Sequence, residues 1–562
     1  METLKTIIDG LSKALWDFPE AFPIMVFLLA STGLYLTWKM RFVQFRHLGH
    51  SFKIILGIYD DPNEAGDVSH FQALSAALSA TIGIGNIAGV ATAIHYGGPG
   101  AVFWLWVTGF LGMATKFVEC SLGHKHRVIH KDGSASGGPM YYMKNALGGK
   151  WTWVAVLFAV CTFVSSFGSG NAVQAFTMAD SFRADFGIPP WITGMISATL
   201  VGLVIIGGIK RIGRVASKLV PFMGVLYVLA ALAVLLLNYE ALPGAISLIV
   251  RSAFTPQGEI GGFAGSTFIF TLTWGVKRGL FSNEAGQGSA PIAHAAAKTT
   301  ESVREGAVAQ LGPLIDTVVI CALTGLVVVS TGTWNDKVEE SLHINPSAAL
   351  TVMVPGGKVQ PMGGIEEEDV KTGEVAVVNG EIQDGLLVRN HCVMEDVSIT
   401  LDDKPFNGSF VLKDGGIDEV RTGDGAEIQP GDVAVTGMAL LNGSPLTAES
   451  YRRGLLPIFP SGNLFITFAV FLFALSTAIS WSYYGDRAIL FVFGQKAVWI
   501  YRVAFVAVHF LGAIFSLELV WGFADVALAI MAIPNLLAII LLSGVVKKDA
   551  DDYYKRMGYK GL

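Results

Sequence analysis

Ser79-Ala-Thr-Ile-Gly-Ile-Gly-Asn-Ile-Ala-Gly-Val-Ala91 is an apolar helix that interrupts itself. The surrounding segment, 70–96, is long enough to cross a bilayer, yet Gly83, Gly85 and Gly89 stand where a membrane helix packs side chains. Glycine lets the backbone open there. Opened backbone at membrane depth is tolerated only where it lines a cavity within protein, because each N–H or C=O freed into lipid costs several kcal/mol. The interruption therefore marks a site. One half-helix turns its N-terminal amides toward it and the other its C-terminal carbonyls, which suits an anion and a cation bound side by side.

A second copy strengthens that reading. Asn86-Ile-Ala-Gly-Val-Ala-Thr-Ala93 recurs as Asn283-Glu-Ala-Gly-Gln-Gly-Ser-Ala290, after an apolar run broken at Gly275 and Gly279. Two interrupted segments in corresponding positions of two halves point to the binding site of a transporter built from repeats.

Of the 562 residues, 52% are hydrophobic and 15% charged, and the mean hydropathy is +0.53, which places the chain among polytopic membrane proteins. Apolar spans are expected at 18–38, 70–96, 100–123, 152–182, 190–209, 214–239, 262–299, 304–331, 456–484, 498–516 and 518–546, eleven in all. Lys and Arg gather in alternate connections, from Lys125 and Arg127 through Lys210 and Arg211 to Lys547 and Lys548 in the tail, so these face the cytoplasm. Basic residues follow the first span, which argues against a cleaved signal peptide and for an N-terminus outside. The interrupted helices are then the first and sixth of ten behind one extra helix. An odd number per half sends the second half in from the opposite side, so the repeat is inverted. The expected domains are a transporter part at 1–334, an insert at 335–455, the second transporter part at 456–546 and a basic cytoplasmic tail at 547–562.

Between Asn335 and Leu456 there are 21 acidic and 9 basic residues, and short apolar runs alternate with Gly, Asn and Asp, as in Glu374-Val-Ala-Val-Val-Asn-Gly380. That pattern predicts strands and hairpins in a separate β-rich domain outside the membrane. Basic residues form no extended face, which excludes nucleic acid as a partner. The four cysteines supply neither a disulfide framework nor a Cys-x-x-Cys metal site. Neither His-Glu-x-x-His nor an intramembrane Gly-x-Gly-Asp occurs, so an intramembrane protease, and with it an enzyme, is not expected.

The run Thr81-Ile-Gly-Ile-Gly-Asn-Ile-Ala-Gly-Val-Ala-Thr-Ala-Ile-His-Tyr-Gly-Gly-Pro-Gly-Ala-Val-Phe-Trp-Leu-Trp106, with Gly279-Leu-Phe-Ser-Asn-Glu-Ala-Gly-Gln-Gly-Ser-Ala-Pro291, resembles the sodium:alanine symporter family over both halves of the chain. The resemblance implies the inverted five-plus-five fold of the neurotransmitter:sodium symporters. It also implies Na⁺-driven import of alanine or glycine across the cell (inner) membrane, with no cofactor beyond the coupling ion. The insert departs from the shorter members.

The expected substrate contacts are Thr81, Gly83, Gly85 and Asn86 at the break. By analogy with the symporter fold, Asn171 and Gln174 on the third core helix, Phe270 on the sixth, and Thr477 and Trp481 on the eighth complete the pocket. The same analogy implies sodium at Ser79, Ile82, Ser476 and Thr477, and Asn86 adds a side-chain oxygen suited to a hard cation. Asp316, an acid inside an apolar span, is a further candidate for a cation ligand or proton carrier, against a plain hydrogen-bonding role. Lys277 and Arg278 fall at the expected second break. His124, His126 and His130 sit in a basic loop, where a metal site is the weaker reading. Proton coupling, and a sensor that uses the insert as its receptor, remain the alternatives.

Overall fold

Ser69 starts the first interrupted span by a capping box: its hydroxyl accepts from the Gln72 N–H, and the Gln72 side chain accepts from the Ser69 N–H at 3.1 Å. The helix His70–Thr81 then stops, two residues, Ile82 and Gly83, run non-helically, and the chain turns helical again at Ile84, continuing as a wide π-turn over Gly85–Gly89 that passes into Val90–Gly97. The two halves are bent by 54°. In this computed structural model, the described residues are 23–562 except 62, 132, 256–267, 345–349, 358–364, 366–367, 391, 414 and 515–517, together with 10, 11, 14–16, 18 and 19.

The chain is predominantly helical. Among the described residues seven helices are long and apolar enough to cross a membrane, and an eighth span is counted if the bent pair is one. Three expected spans fall short of that test. Ile24–Lys39 and Pro190–Ile205 have 16 residues each. The segment 262–299 divides into Phe268–Asn283 and Ala290–His294, with 262–267 outside the described residues.

The second break does not lie at Gly275 and Gly279. Those glycines sit inside the helix Phe268–Asn283 and let it press on Gly100–Lys125: a Cβ at Gly275 would lie 2.5 Å from Ala101 O, and one at Gly279 3.0 Å from Thr108 Cβ. The backbone opens after Asn283, where Glu284, Gly286 and Gly288 all have positive φ, 54°, 88° and 85°. Glycine takes that conformation freely, whereas for Glu284 it is uncommon.

The start of the first interrupted segment and the end of the second are lashed together. Val68 and Ala297 form a parallel bridge, reinforced by Asp67 N–H to Ala296 O at 2.7 Å and Lys298 N–H to Val68 O at 2.8 Å. The Arg127 guanidinium donates to four carbonyls around it, those of Ala65, Ala295, Ala297 and Thr299, at 2.6–2.9 Å. Beneath, buried Glu305 accepts from His294 at 2.7 Å and bonds His70, so one carboxylate joins both segments to the helix Ser302–Ala309.

Strands occupy Lys337 to Leu440. In one sheet Val433–Leu440 lies between Lys337–His343 and Glu395–Leu401, all antiparallel, with Lys404–Pro405 at the edge. A second sheet is built on Gly373–Val378, Gly408–Lys413 and Gly416–Thr422. Val352, Ile399, Phe410 and Val435 form the fully buried core of this segment with their neighbours. Asn379-Gly380, both at positive φ, makes the tight turn that pairs Val378 with Glu381. The strand pattern stops at Leu440, short of the expected boundary at 455. Gly443–Leu455 is a helix against the first break, its Thr447 hydroxyl donating to Ile87 O at 3.0 Å. The last helix likewise runs on from Glu518 to Arg556 without stopping at 546, and the chain beyond it returns to the first loop, where Arg41 donates to Leu562 O at 2.5 Å.

Candidate functional site

The first break, the helix Gly462–Phe493 and the second break converge on one small cavity, lined by Thr81, Gly83, Gly85, Ser169, Gln174, Phe281, Glu284, Gln287, Thr477 and Trp481 among others. Gly83 is required by close approach: a Cβ there would stand 2.5 Å from Thr477 Oγ1. The cavity holds about 20 Å³, room for little more than one water, so a larger occupant enters only when these walls move apart.

Its polar groups are mostly acceptors. Gln174 donates its amide N–H to Ser169 O at 3.0 Å, which leaves Oε1 turned to the cavity, buried and without a partner; Gln287 Oε1 is also unpartnered. Glu284 is buried in the same lining, its carboxylate accepting from Trp481 Nε1 at 2.9 Å and from the Ser289 hydroxyl. Beside this set, the Ser476 and Thr477 hydroxyls each lie 3.2 Å from Ser79 O, and Ser79 Oγ donates to Ser476 O at 2.8 Å. These oxygens are a donor set fit for a hard cation. Ile82 ends the first half-helix next to them, with its N–H bonded back to Leu78 O at 2.7 Å.

Six of the expected contacts, Thr81, Gly83, Gly85, Gln174, Thr477 and Trp481, line the cavity; the other three do not. Asn86 staples the break instead: its Oδ1 accepts the Gly83 N–H at 2.9 Å, and its Nδ2 bonds Ser282 and Asp316. Asn171 turns away, donating to Phe505 O at 2.8 Å and meeting His509 on its other atom. The chain forms a π-turn over Gly168–Ala172, and that extra residue per turn separates Asn171 from the face of Gln174. Phe270 packs edge-on against Trp274, near the start of the helix that leads to the second break.

Asp316 is likewise outside the cavity, fully buried and held by Asn86, Ser282 and Thr317. Lys277 and Arg278 lie on Trp274, the latter 5.2 Å from the ring centre, well before the break. Among the described residues no His, Cys, Asp and Glu group could hold a metal ion, the three histidines of the basic loop included. Glu284 and Gln287 are the residues sequence reasoning passed over. Glu284 carries the same signal as Asp316, an acid in an apolar segment.

Ile84, Gly85 and Phe281 also floor a vestibule of about 620 Å³ above the cavity. Its walls carry both signs of charge: Asp180, Asp185, Glu340 and Glu449 face a space shared with Arg278, Arg389 and Arg452. Glu340 and Arg389 come from the strand-rich segment and pair at 2.7 Å; burial pushes the Glu340 carboxyl above its ordinary value against the pull of that arginine. The segment is fastened at the same place, since His95 of the first broken helix bonds Asn390 O at 2.7 Å and Leu441 O at 3.0 Å.

The sodium:alanine symporter family model matches residues 1–361 and 433–560. An uncharacterized transporter of Haemophilus influenzae is 36% identical over 560 residues, covering 99% of this chain and 97% of the relative. The sodium/alanine symporter AgcS of Methanococcus maripaludis is 37% identical over 543 residues, covering 96% and 95%. The crystal structure of MhsT in complex with L-phenylalanine has a similar fold, with a TM-score of 0.50 over 87% of this chain and 93% of that one at 12% identity.

Proposed function

The chain belongs to the sodium:alanine symporter family, a family of multi-pass membrane transporters, and on that premise we propose that it imports a small neutral amino acid, alanine or glycine, together with Na⁺. The observation that carries the reading is the meeting of two oxygen sets at Thr477. On one side, Glu284, Gln174 Oε1 and Gln287 Oε1 are the acceptors an ammonium needs. On the other, Ser79 O and the Ser476 and Thr477 hydroxyls are ligands for Na⁺. The opened backbone between Thr81 and Gly85 supplies amides for the carboxylate, and Trp481 limits the side chain to a small one. A vestibule bearing both charges suits a zwitterion better than a simple ion.

The likeness of fold to MhsT supports ten core helices in inverted halves behind one extra helix; the Lys and Arg of alternate connections support an N-terminus and strand-rich segment outside and a tail in the cytoplasm. Alternating access then opens the vestibule and the lashed inner ends in turn.

The test is labelled alanine uptake into proteoliposomes with an inward Na⁺ gradient. Replacing Na⁺ by choline at fixed pH is expected to reduce uptake to background; uptake that persists would move the coupling to protons, with Glu284 as the carrier. The strand-rich segment gives a second expectation. Excising 337–440 behind a short flexible linker should leave Na⁺-driven uptake measurable, lowered by up to about tenfold for the hydrogen bond to Asn390 O that His95 loses, its bond to Leu441 O being retained. Extending the excision to Arg453 removes the helix Gly443–Leu455 and its bond to Ile87, and uptake should vanish. Equal activity of the two deletions would show that this helix is dispensable.

A further inference from the structure

Behind the second broken segment, on the side away from the transport cavity, a separate cavity of about 210 Å³ lies between Ile24–Lys39, Gly100–Lys125 and Phe268–Asn283. Leu29, Ala30, Trp104, Leu111 and Val276 make its walls apolar, and it exceeds the engineered cavity of about 150 Å³ that takes up benzene. Leu34 at its edge is exposed on the outside of the bundle, so the way in is from the bilayer.

Three polar side chains interrupt the lining, and two of them, Thr108 and Thr115, donate their hydroxyls to carbonyls of their own helix, Trp104 O at 2.9 Å and Leu111 O at 3.3 Å. Asn283 is fully buried, and its Oδ1 accepts the Ala285 N–H at 2.9 Å. That bond fixes which way the amide faces. It leaves Nδ2 as a buried donor with no acceptor among the described residues; Gly112 lines the same cavity, and a Cβ there would be 3.5 Å from both Nδ2 and Oδ1. Buried donors are nearly always paired, and an unpaired one facing an apolar space is half of a recognition site.

We propose that this cavity binds a small apolar molecule with a single hydrogen-bond acceptor, its chain among the leucines and its carbonyl oxygen accepting from Asn283 Nδ2. The class is that of medium-chain ketones, drawn from the membrane. Because Asn283 directly precedes Glu284, an occupant braces the second broken segment against the helix Gly100–Lys125.

The experiment uses the full chain in lipid nanodiscs and a methyl ketone with an alkyl diazirine at its far end, followed by peptide mapping. Label is expected on the helices Ile24–Lys39 and Gly100–Lys125. Methyl hexyl ketone should protect at about tenfold lower membrane concentration than octane, which has the bulk without the acceptor. Ala30→Leu fills the cavity from a helix outside the transport site and should abolish labelling. Leu34→Trp, at the exposed edge, should do the same without a buried substitution, so misfolding of the first variant leaves the test intact. Labelling that survives in both variants, or octane that protects as well as the ketone, overturns the proposal.

Discussion

Gly83→Ala is expected to slow Na⁺-driven alanine uptake by about 10- to 100-fold, from the roughly 1–3 kcal/mol that overpacking costs in a closely filled site. The added Cβ would stand 2.5 Å from Thr477 Oγ1 and 3.6 Å from Gln174 Oε1. Something must shift, and both neighbours belong to the cavity. Thr477 is also bonded to Ser79 O, so the displacement reaches the proposed cation ligands as well. The distinctive readout is therefore a joint weakening: the concentrations of alanine and of Na⁺ giving half-maximal uptake should both rise. A Gly83→Ala protein with unchanged affinity for both would show that the break is not the site.

Glu284→Gln is expected to weaken alanine binding by about 10- to 100-fold, the roughly 1.5–3 kcal/mol of a hydrogen bond to a charged group. The substitution keeps shape and leaves an oxygen to accept from Trp481 Nε1, so the cavity wall survives and only the charge offered to the ammonium is lost. Glu284→Asp keeps the charge but shortens the reach to Trp481, and should fall between the two. Binding can be measured without transport, by isothermal titration of the purified protein in Na⁺. If alanine affinity is unaltered in the glutamine variant, Glu284 does not hold the ammonium, and a pH dependence of uptake that disappears in the same variant would assign it to proton movement instead.

The first break is legible in the sequence because Gly83, Gly85 and Gly89 crowd into a single apolar run, more glycine than a continuous helix of that length tolerates cheaply. Gly275 and Gly279 mislead by the same logic: a membrane helix also uses glycine to approach another helix, and nothing local distinguishes packing from opening. The true opening depends on positive φ at Glu284, a residue whose type gives no warning of it. Asn171 and Gln174 share a face on a regular helix, and a π-turn, which hydrophobic periodicity does not reveal, separates them. The strand-rich character of the 337–440 stretch is readable from its turns. The helix after it is not: Gly443–Leu455 begins with Gly-Ser-Pro and carries Arg452 and Arg453, a composition that reads as loop, and its stability comes from packing on the broken helix.

The contact that closes one end of the two interrupted segments bears on how that end can open. Val68 and Ala297 meet backbone to backbone, and Arg127 grips four carbonyls that belong to both partners of that contact. The bonds share one donor group, so losing one weakens the hold on the others, and the half-buried cluster is expected to loosen as a unit. In the Na⁺-coupled import proposed above, a closure that parts as a unit would limit slippage of the ion without its amino acid.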